Sequence, residues 1–183
     1  MRHFKNFMIL VMTLSAVTLT SCSSDDDGGD GGGDGSGAGS GVLVAKVDGN
    51  NYESMAISSS ATVANNGQNL IIIASNSSGK AFSMQILGVY SGPGTYAIGG
   101  GVNIANGATY TVTDVDLNNP QNSTTEVWQA PFDDMVAGEI VITEETDTKV
   151  KGNFNFSGKN VNGDQSIKVI SDGSFNLTKQ VVN

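Results

Sequence analysis

From residue 42 onward, apolar and polar side chains alternate with a period of two. Residues 138–143, 150–158 and 174–178 each place their apolar side chains on one face of an extended strand. This period is that of a half-buried β-strand, whose successive side chains point to opposite faces. Residues 70–73, Leu-Ile-Ile-Ile, instead predict a strand that is covered on both faces. No window longer than ten residues shows a capped helical period, so we expect little helix.

Turn residues separate these apolar runs. Asparagine, aspartate or serine followed by glycine favours a tight hairpin turn. Such pairs occur at Asp48-Gly49, Asn66-Gly67, Ser78-Gly79, Asn106-Gly107, Asn162-Gly163 and Asp172-Gly173. We predict an all-β domain of about nine or ten strands, an antiparallel β-sandwich or β-barrel with mostly meander connections. Residues 115–125 are irregular and predict a surface excursion.

The N-terminal segment has the pattern of a targeting sequence. Arg2 and Lys5 precede residues 7–20, an uncharged and mostly apolar stretch of 14 residues. That stretch is too short to span a bilayer, which takes about 20 residues, but it suits the core of a signal peptide. A buried N-terminal helix is the alternative, although no polar face supports one. Residues 1–21 are therefore predicted to be a signal peptide.

The end of this segment resembles the lipobox of bacterial lipoproteins. Residues 19–22 read Leu-Thr-Ser-Cys: an apolar residue, two small residues and the cysteine. The resemblance implies that the chain is cut before Cys22, that Cys22 carries the lipid, and that the membrane is a partner through this anchor. An ordinary secretory signal followed by an incidental thiol is the alternative.

The residues just after Cys22 resemble a lipoprotein export signal. In gliding and gut-dwelling Gram-negative bacteria, such serine and aspartate runs carry lipoproteins to the outer face of the outer membrane. The residues concerned are Ser24, Asp25, Asp26 and Asp27. The resemblance implies an outer-membrane protein that faces the cell exterior, whereas the alternative is that these aspartates only begin a solvated linker.

Residues 23–41 have the composition of a tether. They comprise nine Gly, five Asp, four Ser and one Ala, so we expect them, with the lipidated Cys22, to be disordered. Such a chain has a root-mean-square reach of about 25 Å. Residues 42–183 are then predicted to form a single β domain.

Several segments of this domain resemble a family of small all-β lipoproteins from the same bacteria. They are residues 44–49 (VAKVDG) with Tyr52, residues 92–96 (GPGTY), residues 138–143 (GEIVIT), residues 150–156 (VKGNFNF) and residues 172–176 (DGSFN). The resemblance spans nearly all of residues 42–177. The family is one of unknown function, so it implies an all-β fold and a cell-envelope location but no ligand residues.

Composition excludes several kinds of chemistry. With 18 acidic and 9 basic side chains, the chain is unsuited to binding nucleic acid, which requires clustered Lys and Arg. Arg2 and His3 are the only residues of their types, and Cys22 is the only cysteine. Once the signal peptide is removed, Ser–His–Asp and Cys–His sites cannot form. We therefore expect no enzyme activity and no cofactor. Paired carboxylates can serve a glycosidase, but Glu144 and Glu145 are adjacent in the sequence, which is typical of an exposed turn.

Two sets of residues are candidates for ligand binding. Aromatic side chains could form a platform on which sugar rings stack, although core packing is the ordinary role of such residues; the candidates are Trp128, Tyr52, Tyr96 and Tyr110. A weaker metal candidate begins like a calcium loop with Asp114, Asp116 and Asn118. Positions six and twelve of that loop lack the required Gly and Glu, so a solvated acidic loop is the alternative.

The sequence therefore predicts a binding or interaction module for an extracellular glycan or protein. A structural envelope lipoprotein without a dedicated ligand is one alternative. A small-ligand carrier of lipocalin type is another, with Phe82, Phe154, Phe156 and Phe175 either lining a cavity or packing as core.

Overall fold

The computed structural model describes residues 37–101 and 105–182. The chain divides into two units, Met1–Asp34 and Gly35–Asn183, and every described residue belongs to the second. The strands are β1 (Leu43–Val47), β2 (Asn50–Glu53), β3 (Ser59–Ala64), β4 (Asn69–Ser75), β5 (Lys80–Ile86), β6 (Gly94–Gly99), β7 (Gly107–Asp114), β8 (Thr124–Ala130), β9 (Val136–Glu145), β10 (Lys149–Lys159) and β11 (Ile167–Val182). Short 3₁₀ turns occupy Ala56–Ser58 and Pro120–Asn122. Among the described residues, no helix is long and apolar enough to span a membrane.

The strands form two layers, and the two central strands of one layer reach the edge strands of the other. A six-stranded layer has the order β2-β1-β11-β10-β9-β6, and a five-stranded layer has the order β3-β4-β5-β7-β8. The end of β11 pairs in parallel with β3, and Lys159 of β10 pairs with Gln129 of β8. The domain is therefore a sandwich whose layers close into a barrel-like ring. The all-β prediction is confirmed, but the described chain has eleven strands rather than nine or ten, and one pair is parallel.

The core lies between the two layers and is rich in aromatic rings. Phe82 of the five-stranded layer lies 5.6 Å from Phe154 and 6.1 Å from Phe156 of the six-stranded layer, between ring centroids. Phe154 also lies 6.3 Å from Phe175. All four phenylalanines are at most 2% exposed. Their mutual contacts give them a packing role, because aromatic pairs at such distances stabilise a core.

The pair Asp172-Gly173 does not form the predicted hairpin, because it lies inside the 16-residue strand β11. Gly173 pairs with Phe154 and Ile170 with Phe156, so two residues of β11 lie opposite one residue of β10. This is a β-bulge, and Asp172 accordingly adopts a positive φ of 51°. A side chain at Gly173 would place Cβ 2.5 Å from the carbonyl oxygen of Phe154. The glycine therefore marks a close backbone approach rather than a chain reversal.

The pair Asn106-Gly107 is a second exception. It precedes β7, and the strand before it, β6, pairs with β9 instead. Asn106 is 1% exposed, and its side chain accepts from the N–H of Leu87 and donates to the carbonyl of Ala97 at 3.3 Å and 3.0 Å. Its side chain therefore ties the residue that follows β5 to strand β6. The other four pairs do lie in hairpin turns, as predicted; they connect β1–β2, β3–β4, β4–β5 and β10–β11.

Two further predictions concern single segments. Strand β4 is not covered on both faces, because Ile73 is 50% exposed on the outer side of the five-stranded layer while Ile72 is buried. The excursion is confirmed: the chain leaves β7 after Asp114 and joins β8 at Thr124. Leu117, in this excursion, is 87% exposed.

Candidate functional site

The four aromatic candidates do not form an exposed platform. Trp128, Tyr52, Tyr96 and Tyr110 are 4%, 5%, 9% and 3% exposed. Each occupies an inward position of its strand, so the same alternation that builds the core buries the ring. The rings therefore pack as core, the alternative that the sequence left open, and Trp128 is not an exposed stacking residue.

Three of these rings lie together near one end of the sandwich. With Phe82 they form a row in which Tyr52 lies 4.8 Å from Phe82, and Phe82 lies 5.1 Å from Tyr110. Tyr110 lies 5.9 Å from Trp128, whose indole N–H donates to the Ser166 hydroxyl at 2.9 Å. The row spans both layers and forms the floor beneath the polar end of the domain.

Tyr96 lies in β6, apart from this row of rings. Its hydroxyl donates to the carbonyl of Gly92 at 2.7 Å and accepts from the N–H of Ser91 at 3.0 Å. The ring packs 5.7 Å from Tyr90. This local network fixes the loop before β6, so Tyr96 is not part of a site with the other three.

A polar cavity of about 150 Å³ opens above the aromatic row. We call it the Tyr110 pocket; it is lined by Val47, Asp48, Asn50, Asn51, Tyr52, Lys80, Tyr110 and Lys168. Among the described residues, no hydrogen bond reaches the Tyr110 hydroxyl, although the residue is 97% buried. No fully buried polar side-chain atom in this part of the chain lacks a partner. The Tyr110 hydroxyl is therefore accessible from the pocket and free to bond a ligand.

One wall of the pocket is built by the turn between β1 and β2. Asp48 and Gly49 have positive φ values of 50° and 81°, the backbone of a tight hairpin turn. The Asp48 carboxylate accepts from the N–H of Val169 at 2.9 Å and pairs with the Lys168 ammonium at 3.2 Å. That ammonium also lies 4.6 Å from the centroid of the Trp128 ring, in cation–π contact. These contacts hold Asp48 and Lys168 in place and neutralise their charges against each other.

Lys80 stands at the opposite wall. It is the first residue of β5, and the alternation that turns Phe82 and Met84 inward places Lys80 on the inner side at the strand end. Within the described ranges, Lys80 has no ion-pair partner. The pocket therefore carries one uncompensated positive charge in a chain whose net charge is −9.

The tyrosines of the pocket stay neutral at physiological pH. Burial, and then the nearby Asp48 carboxylate, raises the pKa of Tyr110. Burial, and then Tyr110, raises the pKa of Tyr52. The Tyr110 hydroxyl can therefore donate as well as accept a hydrogen bond, whereas the Tyr52 hydroxyl already donates to the Ala74 carbonyl at 3.0 Å. Neither hydroxyl is activated as a nucleophile.

The acidic loop candidates do not come together as a metal site. One carboxylate oxygen of Asp116 accepts from the N–H groups of Asn118 and Asn119, both at 2.9 Å. This local capping is the ordinary role of aspartate in a turn. The residues that the structure describes contain no group of three or more His, Cys, Asp or Glu side chains that could hold a metal ion. Asp114 is the last residue of β7 and is exposed.

A half-buried ionic cluster lies at the opposite end of the β10–β11 hairpin. The Glu145 carboxylate accepts from the Tyr90 hydroxyl at 2.6 Å and pairs with the Lys179 ammonium at 2.7 Å. The side chains of Lys179 and Glu145 are 14% and 17% exposed. The expectation of an exposed carboxylate pair is wrong for Glu145, whereas Glu144 is 40% exposed and pairs with lysines on β10. Sequence reasoning missed the cluster because its members are far apart in the chain.

The N-terminal candidates lie outside the described residues; they are Cys22, Ser24, Asp25, Asp26 and Asp27. The structure does describe the last residues of the predicted tether, from residue 37 onward, and they are hydrogen-bonded to the domain. The N–H of Ala38 donates to the Ser174 hydroxyl at 2.9 Å, and that of Gly41 donates to the Asn176 carbonyl at 2.7 Å. The folded part therefore begins before residue 42.

Comparison with protein families identifies the family of this domain. A domain of unknown function, DUF6252, matches residues 40–177, which covers most of the folded domain. Searches among curated proteins and among solved structures find no match. The chain therefore belongs to the DUF6252 family.

Proposed function

We propose that this protein is a lipid-anchored cell-surface binding module whose Tyr110 pocket takes one sugar unit of an extracellular glycan. The observation that carries the proposal is the Tyr110 hydroxyl, which opens into the pocket, is neutral and has no hydrogen-bond partner among the described residues. A polar group in that state gains a hydrogen bond when a ligand enters.

The size of the pocket favours a single sugar ring. A volume of about 150 Å³ corresponds to roughly five waters at liquid density. Pockets for drug-sized ligands start at about 300 Å³. The ligand must therefore be small, or be one end of a larger chain.

The lining chemistry favours a polyhydroxylated ligand. Asn50 and Asn51 can each donate and accept, Lys80 donates, and Tyr110 does both. Sugar hydroxyls also donate and accept, so each can pair with such a mixed set. The same lining supports binding rather than catalysis, because Asp48 and Lys168 are committed to each other.

The sugar proposal is tested by titrating wild type and Tyr110→Phe against a glycan library. We expect Tyr110→Phe to bind about fivefold more weakly, the cost of about 1 kcal/mol for one neutral hydrogen bond. Tyr96→Phe is the control, because it removes a tyrosine hydroxyl outside the pocket and should bind like wild type. The proposal fails if no glycan binds wild type, or if the two variants bind alike.

We also propose that Cys22 carries the lipid and that the domain faces the cell exterior. The lipobox-like residues 19–22 and the acidic run after them support this. In a labelled-palmitate experiment, wild type should incorporate the label and Cys22→Ala should not. Protease added to intact cells should remove the domain; survival of the domain, with a periplasmic marker also intact, would contradict surface exposure.

A further inference from the structure

The outward side of the five-stranded layer carries no charged side chain. We call it the uncharged face. Its residues alternate with the buried ones on each strand and are Ser60, Thr62, Ala64, Asn69, Ile71, Ile73, Ser75, Ala81, Ser83, Gln85, Gly107, Thr109, Thr111, Thr113, Thr125, Val127 and Gln129. Hydroxyl, amide and methyl groups therefore make up the whole surface.

The strand register arranges these residues in straight rows. In the central row, Ser60 pairs with Ile73, Ile73 with Ser83, Ser83 with Thr109, and Thr109 with Gln129. Ile73 is 50% exposed at this row, and Val127 is 37% exposed beside it. A row without charged or aromatic side chains gives a surface of the kind that packs against another sheet.

The outward side of the six-stranded layer is different. There Lys46, Glu139 and Lys151 occupy outward positions on β1, β9 and β10. The charges of the domain are thus distributed unevenly between its two broad faces. An uncharged face is informative in a chain with a net charge of −9, because such a chain normally spreads its charges for solubility.

We propose that the uncharged face is a self-association surface, on which a second copy of this chain stacks sheet against sheet. Two acidic chains repel each other through their charged surfaces, and this face is where they can approach with the least repulsion. No aromatic ring points outward here, since Phe82, Tyr110 and Trp128 all point into the core. A glycan would therefore find no stacking partner, and a charged partner would find no counter-charge within these five strands. The central row meets a charge at its end, where Lys159 of β10 pairs with Gln129.

The available area gives the size class of this contact. Five strands about 4.8 Å apart, each contributing about six residues at 3.4 Å, cover roughly 480 Å² per copy. The pair would bury about 1,000 Å², which is at the lower limit for a specific interface. We therefore expect a weak dimer, with a dissociation constant of about 0.1 mM.

The first test is sedimentation equilibrium on the chain from Ser23 to Asn183, which retains every core residue from Leu43 to Leu177. Wild type should shift from monomer to dimer between about 10 µM and 1 mM. Ile73→Lys, which puts a charge in the central row, should weaken association at least tenfold. Val169→Lys is the matched control, because Val169 is a β-branched residue, 53% exposed, on the outward side of the other layer. It adds the same charge and should leave association within about twofold of wild type.

Salt dependence gives a second readout. Because the proposed contact contains no ion pairs and the copies repel at long range, added salt should strengthen the dimer. An interface made of salt bridges would weaken instead, and this result would overturn the proposal. Wild type that stays monomeric at 1 mM, or variants that behave alike, would overturn it as well.

Disulfide trapping locates the contact. The chain from Ser23 contains no cysteine, so one introduced cysteine is unique. Ser83→Cys, in the middle of the uncharged face, should form disulfide-linked dimers under mild oxidation. Asn153→Cys, equally exposed on β10, should remain mostly monomeric. Equal trapping at the two positions would contradict the proposed surface.

Discussion

The half-buried cluster of Tyr90, Glu145 and Lys179 offers the sharpest test of how this fold is held together. Burial alone would raise the pKa of Glu145, but hydrogen bonds from Lys179 and Tyr90 outweigh it and hold the pKa below its usual value. Replacing Lys179 with methionine keeps the aliphatic packing and removes the counter-charge. Breaking a buried ion pair from one side costs about 3–5 kcal/mol. Because the side chains of Lys179 and Glu145 remain 14% and 17% exposed, we expect Lys179→Met to lower the free energy of unfolding by about 2–3 kcal/mol.

The pH dependence of this loss has a definite sign. In wild type the pKa of Glu145 is lowered, so its contribution to stability is present above the ordinary carboxyl pKa and is lost as the pH falls through the lowered value. In Lys179→Met only Tyr90 opposes burial, so the pKa of Glu145 rises. The variant is then destabilised most near pH 7, and the difference from wild type shrinks toward pH 4.

Urea unfolding, followed by the fluorescence of the buried Trp128, measures this difference at pH 7 and pH 4. Lys151→Met is the control, because Lys151 pairs with the exposed Glu144 and should lose much less stability. Adding Glu145→Gln to Lys179→Met should restore most of the stability, since an amide can still accept from Tyr90 without burying a charge. A loss below about 1 kcal/mol, or one that does not change with pH, would refute the reasoning.

Three further substitutions or conditions test the rest of the fold. Gly173→Ala should lower the free energy of unfolding by about 1–3 kcal/mol, because the added Cβ would lie 2.5 Å from the Phe154 carbonyl oxygen. In Gly94→Ala the added Cβ would meet nothing closer than 3.8 Å, so this control should be nearly neutral in urea unfolding. Asn106→Ala leaves the Leu87 N–H and the Ala97 carbonyl without their partner, and should lower the free energy of unfolding by about 2–3 kcal/mol in the same assay. A loss under about 0.5 kcal/mol would mean that water replaces the side chain. Because the pKa of Tyr110 is raised, folded protein should ionise fewer tyrosines at pH 11 than unfolded protein, as measured at 295 nm, and stability should fall as the pH rises above about 10.

The fold class could be predicted because alternation and turn chemistry act locally. Phe154 and Phe156 face inward because each lies two residues from its neighbour of the same face, and this needs no knowledge of distant strands. The pair Asp172-Gly173 shows the limit. A glycine after an αL residue suits a hairpin turn and a β-bulge equally, and only the pairing partner, Phe154, decides between them. The parallel contact between β11 and β3 likewise depends on how the two layers close.

The site was harder to predict for a related reason. Composition identified Tyr52, Tyr110 and Trp128 as candidates, but alternation gives the same inward orientation to a core ring and to a ring beneath a pocket. The difference lies at the strand ends, where Lys80 and Asp48 leave a space above Tyr110. Those two residues are 32 positions apart, and the sequence carries no local signal that brings them together.

The two proposed surfaces have a joint consequence for affinity. The Tyr110 pocket lies at one end of the sandwich, whereas Ile73 and Ser83 lie on the outward side of the five-stranded layer. A dimer through the uncharged face would therefore leave both pockets open to ligand. Two linked sites bind a multivalent glycan more tightly than one site does, without any new contact in the pocket. Ile73→Lys should then weaken binding to a densely coated glycan surface while leaving the affinity for a free monosaccharide unchanged, and Tyr110→Phe should weaken both. If Ile73→Lys also weakened monosaccharide binding, the pocket and the face would not be independent, and the dimer could not be the reason for the lost avidity.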